Sequence, residues 1–184
     1  MALTHKGTVL IETKRLILRR FKADDAQMMF DNWVSNPNVV KYLRWSAHTD
    51  IAQTKEVLDY WVSSYEKAEV YNWAIELKEL SQPIGSIGVV EQKDDIKMVH
   101  IGYCIGEKWW NKGYTSEALS ALIDFFFDEV GINRIESQHE PNNPNSGKAM
   151  MKCGLKYEGR MRQNDTNQQG LCDTMWYAIL AEDR

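Results

Sequence analysis

Between residues 97 and 139 the apolar pattern changes period twice, and this constrains the fold more than any other feature of the chain. Residues 97–105 (KMVHIGYCI) read as a strand. About 115–130 keep helical spacing, with Ala118, Leu119, Leu122, Ile123 and Phe126 on one face and Gly131 as C-terminal cap. Residues 133–139 return to a strand. A strand, a helical crossover and a strand make a parallel pair. Just upstream, Trp73, Ile75 and Leu77 alternate with Asn72, Ala74 and Glu76 within 70–78. Ser81-Gln82-Pro83 turns into a strand over 84–91, and Asp94-Asp95 turns into 97–105, which completes a three-strand meander.

The flanks complete an order β-α-α-β-β-β-α-β-α-β-β. Residues 15–21 (RLILRRF) read as the first strand. Asp24 and Asp25 cap a helix with Ala26, Met29, Phe30 and Trp33 inward, which Asn36-Pro37 breaks. A second helix starts at Asp50, with Gln53 as capping-box partner and a stripe of Ile51, Val57, Leu58, Trp61, Val62 and Tyr65. After 139 come a short helix over 145–153 stopped by Gly154, then strands 155–163 and 171–180 around a polar loop from Asn164 to Gly170. The expected fold class is α/β: a single mixed, mostly antiparallel sheet flanked by helices. Without repeats or a Pro/Gly-rich linker, one domain over 1–184 is expected.

Composition removes several classes of function. The 22 basic against 26 acidic residues give a net charge of −4, so a whole-domain footprint for nucleic acid is missing. No apolar run reaches the roughly 18 residues of a membrane helix. MALTHKGTVL lacks the apolar stretch and cleavage site of a signal peptide. Cys104, Cys153 and Cys172 form no CxxC, which argues against a disulfide scaffold or zinc knuckle and for a cytoplasmic chain. His5, His48, His100 and His139 are too scattered for a metal site, and no metal is expected.

Standard nucleotide motifs fail: no GxxxxGK[ST] and no GxGxxG occurs. Two segments carry chemistry instead. In 106–118 (GEKWWNKGYTSEA) a strand end runs through Asn111-Lys112-Gly113 straight into the long helix. Free N–H groups at a helix start bind anions, and Gly113 lets backbone approach a phosphate. The plainer reading is an ordinary helix entry with solvated lysines. In 139–159 (HEPNNPNSGKAMMKCGLKYEG), Asn143 and Ser146 lie between a strand end and a short helix, where Ser146 serves equally as a cap. Two polar loops at the C-terminal ends of adjacent parallel strands are where open α/β sheets bind ligands.

Together these stretches resemble the GNAT superfamily of N-acetyltransferases, and within it the RimJ/RimL branch that acetylates ribosomal-protein N-termini. The superfamily's acetyl-CoA motif is Gln or Arg, two variable residues, Gly, any residue, then Gly or Ala. Here that window is Trp110-Asn111-Lys112-Gly113-Tyr114-Thr115, and the branch's WGKGYATEA stands as WNKGYTSEA. Asn143-Pro144-Asn145-Ser146, Lys152-Cys153-Gly154-Leu155, Tyr157-Glu158-Gly159 and the opening Glu12-Thr13-Lys14-Arg15-Leu16-Ile17-Leu18-Arg19 also match, so the likeness spans about 11–180. Trp110, Asn111 and Thr115 depart from the pattern.

The resemblance implies acetyl-CoA held in a splayed gap between the two parallel strands. Backbone at Tyr103 and Ile105 would pair with the pantetheine, and Asn143 would contact it. The N–H groups of Lys112, Gly113, Tyr114 and Thr115 would take the pyrophosphate. Ser146 would protonate the leaving thiolate. Asp165 matches an acidic position in some relatives, with Glu140 and His139 as rival bases. The implied acceptor is a protein N-terminus, such as that of a ribosomal protein, and the branch implies at least a dimer. A small amine or antibiotic is the competing acceptor, and a non-catalytic acyl-CoA sensor the competing class.

Overall fold

The computed structural model describes residues 3–184, so the first two positions of the expected 1–184 domain lie outside the described residues. An eight-stranded sheet is ordered β1-β2-β3-β4-β5-β6-β8-β7. Its strands are β1 Ile11–Glu12, β2 Leu16–Arg19, β3 Asn72–Leu77, β4 Gln82–Lys93, β5 Met98–Ile105, β6 Arg134–His139, β7 Lys156–Asn167 and β8 Gly170–Leu180. Among the described residues only β5 and β6 pair in parallel; the other neighbours are antiparallel. The mixed sheet and its parallel pair therefore stand as expected.

Both faces are covered, so β3 is buried on its polar-reading side too: Trp73 and Ile75 pack under one layer and Ala74 under the other. On one face lies α4 (Tyr114–Asp124), widened into a π-type turn over Phe125–Val130 and closed by Gly131 in the left-handed region. Its expected inward residues are all buried, each large one contributing about 1.5–3 kcal/mol. Beside it runs α5 (Pro144–Lys152). The other face carries α1 (Ala26–Met29), α2 (Pro37–Val40) and α3 (Ile51–Ser64), built on Met29, Trp33, Leu58 and Tyr65.

Several expectations need correction. The pair β1–β2 adds a two-residue strand too short to carry a periodic signal. Asp25 is buried and takes both Arg19 (2.7 and 2.8 Å) and the Lys22 N–H (2.8 Å), so it pins the α1 entry to the sheet. Asn36-Pro37 stops one helix but starts another: the Asn36 side chain caps α2 by accepting from the Asn38 N–H, with Pro37 in the first turn. Gln53 accepts from Thr49 rather than from the Asp50 cap, and Val62 is exposed.

The largest correction concerns the last hairpin. β7 runs on to Asn167 through an irregular register between Met161 and Asp165, with Gln163 at φ 49°. Asp165 therefore lies in a strand opposite Cys172, and the turn shrinks to Gln168-Gln169.

Candidate functional site

The parallel register runs from Met98↔Arg134 to His100↔Glu136. One step further the Ser137 hydroxyl donates to the Ile101 carbonyl (2.8 Å). Beyond it the strands part around a cavity of about 850 Å³ lined by Gly102, Tyr103 and Cys104 from β5, Gln138 and His139 from β6, and Ser146 from α5. On the other side of β5, the Gly106 N–H bonds the Ile84 carbonyl at 2.9 Å. Antiparallel ladders alternate, so with the register Gly85↔Ile105 and Ile87↔Tyr103, Tyr103 and Ile105 turn their N–H and C=O groups away from β4 toward the gap. The Trp110 indole takes the Ile105 carbonyl (2.8 Å). That gives the departing Trp110 a role: it ties the 106–113 loop back to β5.

At the start of α4, Gly113 has φ 80° and Asn111 φ 59°, the left-handed geometry their residue types favour. No spacing along the chain announces that Arg15 arrives here. Its guanidinium donates to the Lys112 carbonyl (3.0 Å), pairs with Glu117 (2.7 Å) and stacks 4.4 Å from the Tyr114 ring. Burial pushes the Glu117 carboxyl up, but donors from Thr13 and Arg15 outweigh it and hold the carboxyl below its usual range. The Arg15–Glu117 pair thus braces the Lys112 loop and the first turn of α4 against the start of β2.

Ser146 is not a cap. Asn143 occupies the cap position of α5 with Pro144 next, and Ser146 sits in the first turn. The Ser146 hydroxyl meets the Tyr103 hydroxyl at 2.9 Å, while Tyr103 also reaches the Ser146 carbonyl at 3.0 Å. Desolvation raises the Tyr103 phenol above its ordinary range, which keeps it protonated.

Asp165 lines the same cavity, with its carboxylate already engaged. It accepts from Arg44 Nε (2.7 Å) and Nη2 (2.9 Å), Gln138 Nε2 (2.8 Å) and the Thr166 N–H (2.7 Å). Burial raises its pKa, yet these donors, Arg44 first, hold it below the usual range. Such a group is a weak base. The Ser46 hydroxyl on Gln168 (2.8 Å) and Gln168 Nε2 on the Leu43 carbonyl (3.2 Å) add to this clasp between the segment before α3 and the β7–β8 turn.

Of the rival bases, Glu140 is engaged locally and His139 through one ring nitrogen. Glu140 accepts from the Asn142 backbone and side chain (2.8 and 2.9 Å). His139 Nδ1 lies 2.8 Å from the Glu140 carbonyl and so carries the proton, and its Nε2 is buried against Gly147. Burial lowers the His100 imidazole to about 4 and lowers that of His48 as well. Among the described residues no group of three or more His, Cys, Asp or Glu side chains is arranged to hold a metal ion.

Comparison with known proteins follows the same lines. The family model described as "Acetyltransferase (GNAT) domain" matches residues 15–156. The uncharacterized N-acetyltransferase p20 of Bacillus licheniformis is 30% identical over 171 residues, covering 93% of this chain and 96% of that one. The ribosomal protein uS5-alanine N-acetyltransferase of Escherichia coli is 38% identical over 60 residues, 33% of this chain and 31% of that one. Among solved structures, a GNAT-family acetyltransferase from Bacillus anthracis superposes with a TM-score of 0.82 at 26% identity, over 95% of this chain and 99% of that one. The microcin C7 self-immunity acetyltransferase MccE, solved with acetyl-CoA and AMP, shares the fold at a TM-score of 0.84 and 20% identity, over 97% and 98%.

Proposed function

The chain belongs to the GNAT acetyltransferase family, and from that premise we propose that it moves acetyl from acetyl-CoA to the N-terminal α-amine of a protein, of the kind ribosomal proteins present. The observation that carries the choice of amine is the weakness of three groups that line the cavity: Asp165 held below its range, His48 lowered, and His100 at about 4. An α-amine with a pKa of about 7.7–8.0 is roughly one-tenth to one-sixth neutral at pH 7, whereas a lysine at about 10.4 is neutral in roughly one molecule in 2,500. A site without a strong base suits the first.

In this reading the outward-turned backbone of Tyr103 and Ile105 pairs with the pantetheine arm, which Asn143 also contacts. The N–H groups of Lys112, Gly113, Tyr114 and Thr115 receive the pyrophosphate. The acceptor nitrogen attacks the thioester carbonyl directly, and Ser146 gives the departing sulfur its proton. Asp165 works as an anchor. Being acceptor-only, it fixes the Gln138 amide with Nε2 toward itself, so Oε1 faces away as an acceptor. That oxygen is buried without a donor among the described residues. The stretch shared with the uS5-alanine enzyme of Escherichia coli supports the same class of acceptor.

One peptide with a free Ala or Ser N-terminus and an internal lysine tests the proposal. Acetyl on the N-terminus by mass spectrometry is the expected result. Acetyl on the lysine alone, or on neither with fast transfer to a polyamine, overturns it.

A further inference from the structure

Tyr103 presents one phenolic proton to two oxygens of the same residue, the Ser146 carbonyl at 3.0 Å and the Ser146 hydroxyl at 2.9 Å. The carbonyl only accepts, whereas the hydroxyl accepts or donates. Two arrangements therefore exist with no heavy atom displaced. In one, Tyr103 donates to the carbonyl and the serine proton is spent on the phenol oxygen. In the other, the phenol donates to the Ser146 Oγ and leaves the serine proton free to point elsewhere. Both residues line the cavity at the parting of β5 and β6.

From this geometry we infer that Tyr103 is a positioning residue for the acyl transfer, acting through Ser146 by switching its phenolic proton from the serine carbonyl to the serine hydroxyl. The inference rests on the reading of Ser146 as the thiolate's proton donor. As the nitrogen–carbon bond forms and the carbon–sulfur bond breaks, its electron pair goes to sulfur, which takes the serine proton. The Tyr103 O–H then supports the charge left on Oγ, until the proton shed by the new amide nitrogen restores the serine. Tyr103 itself keeps its proton throughout, as burial around the phenol demands. A chain of two hydroxyls polarises its last member, which compensates for serine being a poor acid on its own.

Tyr103→Phe keeps the ring and deletes the donor. Its kcat is expected to fall about tenfold, the rate equivalent of one neutral hydrogen bond, with the acetyl-CoA Kd from calorimetry unchanged. In the Ser146→Ala background the same change is expected to cost nothing further, because the residue it acts through is gone. An unaltered kcat in Tyr103→Phe, or the same tenfold loss in both backgrounds, overturns the pairing while leaving Ser146 in place. Normal turnover by Ser146→Ala overturns the reading of Ser146 and the pairing with it. Should Tyr103→Phe not fold, 3-fluorotyrosine at position 103 keeps the shape and strengthens the donor. A higher kcat with Ser146 present and none in Ser146→Ala supports the pairing, and equal rates with and without fluorine overturn it.

Discussion

Arg44 and Asp165 stand 121 residues apart and meet in a two-pronged ion pair, Nε to Oδ1 at 2.7 Å and Nη2 to Oδ2 at 2.9 Å. The pair bridges the segment before α3 to β7 along the cavity wall, and its carboxylate also sets the Gln138 amide. Arg44 is largely exposed, so its own loss costs about 1 kcal/mol or less. The functional effect is expected to exceed the stability effect. Arg44→Ala is expected to raise the acceptor KM several-fold with little change in acetyl-CoA Kd, and Asp165→Leu to raise it further by freeing Gln138. Steady-state kinetics against the peptide acceptor, with calorimetry for acetyl-CoA, check the split. A fall in kcat alone in both variants would return Asp165 to the chemistry.

His100 makes stability depend on acid in a known direction. It is 5% exposed and packs edge-on against Trp176, and burial takes its pKa from 6.5 to about 4. The unfolded chain binds a proton below about 6.5 and the folded chain does not until about 4, so stability is full above 6.5 and is lost as pH falls through that window. At 1.36 kcal/mol per unit the loss is about 3 kcal/mol. His100→Phe is expected to flatten this limb of a Tm-against-pH curve between pH 6.5 and 4. An unchanged limb would place the acid sensitivity elsewhere.

What was legible in the residues was what repeats along the chain. The α4 face, the meander and the parallel crossover announce themselves through spacing, and each buried the residues expected of it. Polar edge structure gives no such sign. In β7 most side chains are exposed, so no alternation betrays that pairing continues past Met161, and Asp165 reads as loop. Nor does spacing reveal partners. Ser146 looks like a cap until Tyr103, 43 residues upstream, supplies the other hydroxyl. Arg15 and Glu117 both sit inside recognisable motifs, yet only the fold brings them together.

Gly147 illustrates a requirement set by one neighbour. A Cβ there would lie 2.4 Å from His139 Nε2 and 3.1 Å from the Tyr177 hydroxyl. Gly147→Ala should destabilise the protein by about 1–3 kcal/mol through overpacking. It should also lower kcat by displacing α5, which carries Ser146. Trimming the obstacle in Gly147→Ala/His139→Ala should recover much of the stability, measured by urea denaturation. Additive losses would mean that the crowding lies with the backbone instead.

Gly113 is needed for a different reason. The nearest atoms to a Cβ at this position are Arg15 Nη2 at 3.5 Å and Lys152 Nζ at 3.8 Å, so space within the protein is adequate. The restriction is φ 80°, which costs a residue with a Cβ about 1–2 kcal/mol. Gly113→Ala should therefore fold with a modest loss of stability. If the pyrophosphate lies against the N–H groups of 112–115, the added methyl stands where phosphate oxygens approach. Acetyl-CoA affinity should then fall at least tenfold, more than the folding cost explains, while the acceptor KM at saturating acetyl-CoA stays near its original value. Desulfo-CoA separates phosphate contact from chemistry, because it keeps the diphosphate and lacks the thiol. Its affinity should drop in parallel. Calorimetry showing unchanged affinity for both ligands in a folded Gly113→Ala protein would move the diphosphate away from the start of α4.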